Sequence, residues 1–238
     1  MIPLIYDQVN TYEKDTEFLL NLMKQTNGKN VADLGCGTGR VTKRLAEAKY
    51  TITAIDPNAE AIDYAKQHNT QHEIEWLVGD SAELKAESYD FVIMTANVAQ
   101  VFLTDESWVE TLQAIHQSLK PNGQLVFDTR NPAKKVWEEW QKDQTPDKAT
   151  HPETGEALKI WTEYDGMEGN VFTFYETVKV VETGQALVRE KMQLKFRSYE
   201  ELMLTVKAVG FRDVVVFADW EDKLANEQSH SFVFHATK

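Results

Sequence analysis

The chain has 238 residues, 42% hydrophobic and 26% charged, enough apolar material for one large domain or for one domain carrying an elaborated insertion. Its formal net charge of -13 repels a polyanion, and adjacent basic pairs occur only at Lys43-Arg44 and Lys134-Lys135, so no nucleic-acid partner is expected. No segment approaches the ~20 consecutive apolar residues that cross a bilayer, MIPLIYDQVN has no basic leader, and the single cysteine, Cys36, permits no internal disulfide, so the expectation is a cytoplasmic protein without a membrane partner.

Between residues 16 and 25, Phe18, Leu19, Leu22 and Met23 recur at helical spacing, and Asn27-Gly28 supplies the stop. NVADL (30–34) is a short apolar strand running into GCGTG, after which Val41, Leu45 and Ala48 share one helix face. TITAID (51–56) is a second strand, stopped by Pro57 and followed by the helical AEAIDYAKQH. IEWLVGD (74–80) and YDFVIMT (89–95) continue the pattern, the latter apolar enough for a central strand buried on both faces. Trp108, Leu112, Ile115 and Leu119 form a helical stripe, with Thr104 or Asp105 as N-cap and Pro121-Asn122-Gly123 as terminator, and QLVFDT is the fifth strand. Near the C-terminus SYEELMLTVKAVG is a helix closed by Gly210, and FRDVVVFAD and SFVFHAT are strands expected to pair antiparallel. The alternation predicts an α/β, Rossmann-like fold: a seven-stranded, mostly parallel sheet with helices on both faces and the last strand antiparallel.

The interval 131–197 breaks this rhythm. A helical piece with Trp137 and Trp140 is followed by three segments of period-two alternation, LKIWTEY, VFTFYETVKVV and ALVREKMQLKF, with glycine-bearing turns at 165–170 and 182–185. A three-stranded antiparallel sheet inserted after strand 5 is expected, residues 1–130 and 198–238 forming the main domain and 131–197 a subdomain that covers an acceptor pocket, makes a dimer contact, or both. Monomer and homodimer both remain open.

A strand running into a glycine-rich loop brings backbone close to a ligand, because glycine has no Cβ, and the helix that follows offers free N–H groups to an anionic group. GCGTGR lacks the third glycine of GxGxxG, so the loop alone suits either a pyrophosphate or a carboxylate. The motifs around it are more specific. VADLGCGTGR, followed in order by AIDPN, LVGDSAEL, YDFVIMTANVAQVF and LKPNGQLVFDT, resembles the motif series of class I S-adenosylmethionine-dependent methyltransferases of small-molecule type, over residues 6 to 129. The resemblance implies S-adenosyl-L-methionine as cofactor and S-adenosyl-L-homocysteine as product. It implies that Gly35, Cys36, Gly37 and Gly39 form the cofactor loop, that Asp33 orients it or touches the cofactor, that Asp56 beside Pro57 holds both ribose hydroxyls, and that Asp80 takes the adenine amino group with Ser81 and Ala82 giving backbone contacts. Two hydroxyl donors call for an ionised carboxylate.

Methyl transfer from a sulfonium is an in-line displacement that needs an acceptor lone pair behind the methyl and no dedicated base. The catalytic residues are therefore unassigned. Asn97, also a cofactor candidate, and Gln100 follow the fourth strand and are expected to face the methyl; Tyr6 and Tyr12 precede the first helix as lid candidates; Arg130 is a candidate clamp for a substrate carboxylate. His116, His230 and His235 share no metal-ligand spacing, and no metal site is predicted. The expected activity is methylation of an N or O atom of a small-molecule acceptor. The rivals are a noncatalytic S-adenosylmethionine-binding module and a nicotinamide-dependent oxidoreductase.

Overall fold

The computed structural model describes residues 2–9 and 11–238. Its elements, in chain order, are α1 (Ile2–Val9), α2 (Lys14–Met23), β1 (Asn30–Leu34), α3 (Arg40–Glu47), β2 (Thr51–Asp56), α4 (Ala59–His68), β3 (Ile74–Val78), β4 (Tyr89–Met94), α5 (Asp105–Ser118) and β5 (Leu119–Arg130). There follow α6 (Val136–Trp140), β6 (Asp147–Thr150), β7 (Ala157–Glu168), β8 (Val171–Val180), β9 (Ala186–Lys195), α7 (Tyr199–Val209), β10 (Arg212–Ala218) and β11 (Ser231–Thr237).

Seven strands form one sheet in the order β10-β11-β5-β4-β1-β2-β3. β1 pairs in parallel with β2 on one side and β4 on the other, and β11 runs antiparallel between β10 and β5. Strand order therefore reverses at β1 and β4, and their C-terminal ends open a crevice of the kind in which open α/β sheets bind ligands. Both sheet faces are covered. Leu112 and Ile115 of α5 and Leu202 and Val206 of α7 pack on one face, and Leu19 and Met23 of α2 with Val41 and Leu45 of α3 pack on the other. Local chemistry fixes the helix ends: Thr104 caps α5 through Ser107 N, Ser198 and Glu201 form a capping box on α7, and Gly210 ends α7 at φ 116°.

Three expectations change in detail. The inserted sheet has four strands, in the order β6-β7-β8-β9. The extra edge strand β6 reads DKAT, has no alternating pattern, and is held by backbone pairing to β7 and by Gln8, whose side chain bonds Thr150 N and O at 2.8 and 2.9 Å. Residues 165–168 are not turn but a continuation of β7 past a register shift, leaving Gly169-Asn170 to reverse the chain. Finally, Tyr6 does not precede the first helix but lies within α1, whose Ile5 is buried with Leu158, Ile160, Val178 and Val180 of the inserted sheet. No helix among the described residues is long and apolar enough to cross a membrane.

Candidate active site

The ends of β1, β2 and β4 open into a cavity of about 580 Å³, floored by Gly35 to Thr38, Asp56 and Asn58, walled by Thr95 to Val98 and Arg130, and roofed by the inserted sheet with Ile5 and Tyr6 of α1. The loop is pinned before anything binds. Gly35 N and Cys36 N donate to Ile55 O at 2.8 and 3.1 Å, and Gly37 N donates to Asp56 Oδ2 at 2.8 Å. Asp56 Oδ1 accepts from Asn58 N at 2.9 Å, so its carboxylate braces loop and strand end while each oxygen keeps a further lone pair. Gly37, at φ 55°, has nothing within 4 Å of where a Cβ would stand, and the left-handed backbone favours glycine there. At Gly35 and Gly39 the constraint is packing: a Cβ would meet Val98 at 2.5 Å and Trp76 at 2.4 Å.

Asp33, 1% exposed, lies behind the loop and outside the cavity lining. Its Oδ2 accepts from the Thr42 hydroxyl, its Oδ1 has no partner among the described residues, and burial pushes its carboxyl up to about 6. Pro57, Asp80, Ser81 and Ala82 are also outside the lining; Asp80 is exposed, and its Oδ1 caps the short turn that follows it by accepting from Ala82 N at 2.9 Å.

Asn97 does face the cavity. Its backbone is left-handed at φ 65°, its N–H donates to Asp128 Oδ1 at 2.9 Å, and its own Oδ1 is buried without a partner. Asp128, 3% exposed, also accepts from Trp220 Nε1 at 3.3 Å, and burial raises it to about 6. Gln100 is fully buried and absent from the lining: its Oε1 accepts from Arg130 Nη1 at 2.8 Å. It orients an arginine where the sequence suggested a group facing the methyl. Arg130 lies over the Trp140 ring at 4.9 Å and lines the cavity. Tyr6 lines it too, whereas Tyr12 lines an adjoining cavity of about 550 Å³, donating to Asp219 O at 3.3 Å. Burial, then the carboxylates of Asp15, Asp128, Asp219 and Glu221, push the Tyr12 phenol up to about 12. No group of three or more His, Cys, Asp or Glu among the described residues is placed to hold a metal ion.

Residues 31–123 match the family described as Methyltransferase domain. The putative methyltransferase YqeM of Bacillus subtilis (strain 168) is 25% identical, aligned over 98% of this chain and 94% of its own length. An S-adenosylmethionine-dependent methyltransferase from Clostridium acetobutylicum superposes at TM-score 0.80, with 15% identity, over 98% of this chain and 95% of that one. The match over residues 31–123 is to a methyltransferase domain, and the fold is that of S-adenosylmethionine-dependent methyltransferases. A structure with the cofactor bound, that of CalS10 from Micromonospora echinaspora, is similar at TM-score 0.69 and 16% identity, covering 96% and 91% of the two chains. Against four further relatives the chain spans about half of their length, between 44% and 51%.

Sequence reasoning missed the polar row on the roof of the cavity. In β8 the residues Phe172, Phe174, Glu176, Val178 and Val180 share one face, and in β9 Val188, Glu190, Met192 and Leu194 do so. One glutamate interrupts each apolar row. That interruption is legible in VFTFYETVKVV once the inward face is known.

Proposed function

We propose that the chain transfers the methyl group of S-adenosylmethionine to an N or O atom of a small molecule seated under the inserted sheet. The observation that carries this reading is one continuous cavity, about 580 Å³, lined both by the glycine-rich loop with Asp56 and by the inner face of β7, β8 and β9. A cavity of this size suits a small molecule. CalS10, an amino pentose methyltransferase, has a similar fold.

The residues present suit the cofactor. Asp56 retains lone pairs for two ribose hydroxyls, the space above Gly37 is open to the methionine part, and the Asn97 Oδ1 lacks a donor among the described residues. Gly35, Cys36, Gly37 and Gly39 would then form the loop around the methionine part, Pro57 would flank the ribose, and Asp80 with Ser81 and Ala82 would meet the adenine from the rim. When bound, the cofactor supplies a methyl on a sulfonium, open to in-line attack. The chain's own part is positioning and exclusion of water. Ile5 and Tyr6 close the roof, Asn97 presents an acceptor oxygen beside the end of β4, and Arg130, held by Gln100 and Trp140, fixes the far wall. Incubation with S-adenosylmethionine and a panel of small metabolites should release S-adenosylhomocysteine with at least one of them. Tight cofactor binding with no release across the panel would support a noncatalytic binding module.

A further inference from the structure

The inner face of the inserted sheet is apolar except for one row and for Asp147, which stands opposite Ile160 at the edge of the next. Thr162 of β7 stands opposite Glu176 of β8, and Glu176 stands opposite Glu190 of β9; the adjoining rows are Tyr164, Phe174 and Met192 on one side and Ile160, Val178 and Val188 on the other. Thr162, Glu176 and Glu190, together with Asp147 of β6, line the cavity. Like charges directly opposite on a sheet are destabilising, the more so on a partly buried face. On the outer face the neighbouring Glu163 is paired with Arg189 at 3.2 Å, yet the side chains of Glu176, Glu190 and Asp147 make no hydrogen bond or ion pair among the described residues. Cations in the same lining are committed elsewhere: Arg40 to Asp15, and Arg130 to Gln100 and the Trp140 ring. Asn97, in the same lining, has a side-chain Oδ1 with no hydrogen-bond partner among the described residues.

Two carboxylates facing each other without a counter-charge, flanked by the rings of Tyr164 and Phe174, form a receptor for an organic cation: the carboxylates accept N–H bonds and the rings attract positive charge. The three acidic groups do not converge as metal ligands do. We propose that the methyl acceptor carries an ammonium group, and that Glu176 and Glu190, with Asp147 at the edge, recognise it. This rests on the reading that the cavity under the inserted sheet receives the acceptor. Burial and the charges of Glu190 and Asp147 raise the Glu176 carboxyl, a cost that an ammonium seated between them would remove.

The probes are benzylamine and benzyl alcohol, alike in shape and different in charge, titrated calorimetrically into the full chain saturated with S-adenosylhomocysteine. Benzylamine should bind roughly tenfold or more tightly than benzyl alcohol. Glu176→Gln and Glu190→Gln should each cut benzylamine affinity roughly tenfold and leave S-adenosylhomocysteine affinity unchanged, while Glu163→Gln on the outer face changes neither. Both inner variants should also unfold at higher temperature when ligand-free, because a like-charge contact is gone, so a fall in affinity cannot be laid to misfolding. Equal binding of the two probes, or benzylamine affinity indifferent to Glu176 and Glu190, overturns the proposal. Failure of S-adenosylhomocysteine itself to bind the unaltered chain would instead overturn the cofactor reading.

Discussion

Asp33 and Asp128 are both fully enclosed and both raised to about 6, and burial is the first cause in each case. A carboxyl whose folded-state value lies above its unfolded value of 3.8 favours the fold in its protonated form. That contribution is complete below the unfolded value and is lost as pH climbs through about 6, on the order of 3 kcal/mol for each group. Urea unfolding should therefore show the ligand-free protein more stable at pH 5 than at pH 7.5; a flat profile would contradict the burial argument. Asp33→Asn should remove part of this slope, raising stability at pH 7.5 by ~1–2 kcal/mol. Asp56→Ala should cost ~2 kcal/mol or more in cofactor affinity by calorimetry, since two charge-assisted bonds go and the brace on Gly37 goes with them. Unchanged affinity would remove Asp56 from the site. The motif order in the sequence already pointed to Asp56 and the glycines. It could not tell that Gln100 turns inward to Arg130, because orientation after a strand end is set by what packs there and not by spacing.

At the scale of elements, the repeating strand and helix units were legible because each carries its own period, 2 or 3.6, and its own stop signal. The short pieces were not. IPLIYDQV spans barely two turns, and the residues that bury Ile5 lie more than 150 positions along the chain, so no local pattern announces the helix. DKAT is a strand only because β7 offers it an edge. α1 and β6 hold one another through Gln8 and Thr150, and both border the cavity. Ile5→Ala should remove ~2–4 kcal/mol of local packing energy. Amide exchange should accelerate in residues 2–9 and 147–150 while β1, β4 and β5 keep their protection. Equal loosening throughout the chain would mean that α1 is part of the main core rather than a separate clasp.

Across the whole molecule, the inserted sheet must be held over the strand ends if the cavity is to exist. Arg197, 3% exposed and directly after β9, does this from one side: its guanidinium donates to Phe102 O and Thr104 O at 2.9 Å and to Asp105 Oδ1 at 3.2 Å, tying the end of the insert to the start of α5. Arg197→Ala leaves the Phe102 carbonyl without its donor and removes the guanidinium from Thr104 O and Asp105, and should lower global stability by about 2 kcal/mol in denaturant unfolding; a change within error would show the tie to be dispensable. The sequence marked the insert as foreign to the alternating pattern, but its placement over the glycine-rich loop arises from contacts between distant residues. The measurement that bears most directly on the account is a crystal structure with S-adenosylhomocysteine bound. The ribose hydroxyls should lie on Asp56, the homocysteine part over Gly37, and the sulfur should face the space bounded by Asn97, Glu176 and Glu190. A cofactor whose sulfur faces away from the inserted sheet, or whose ribose does not reach Asp56, would contradict it.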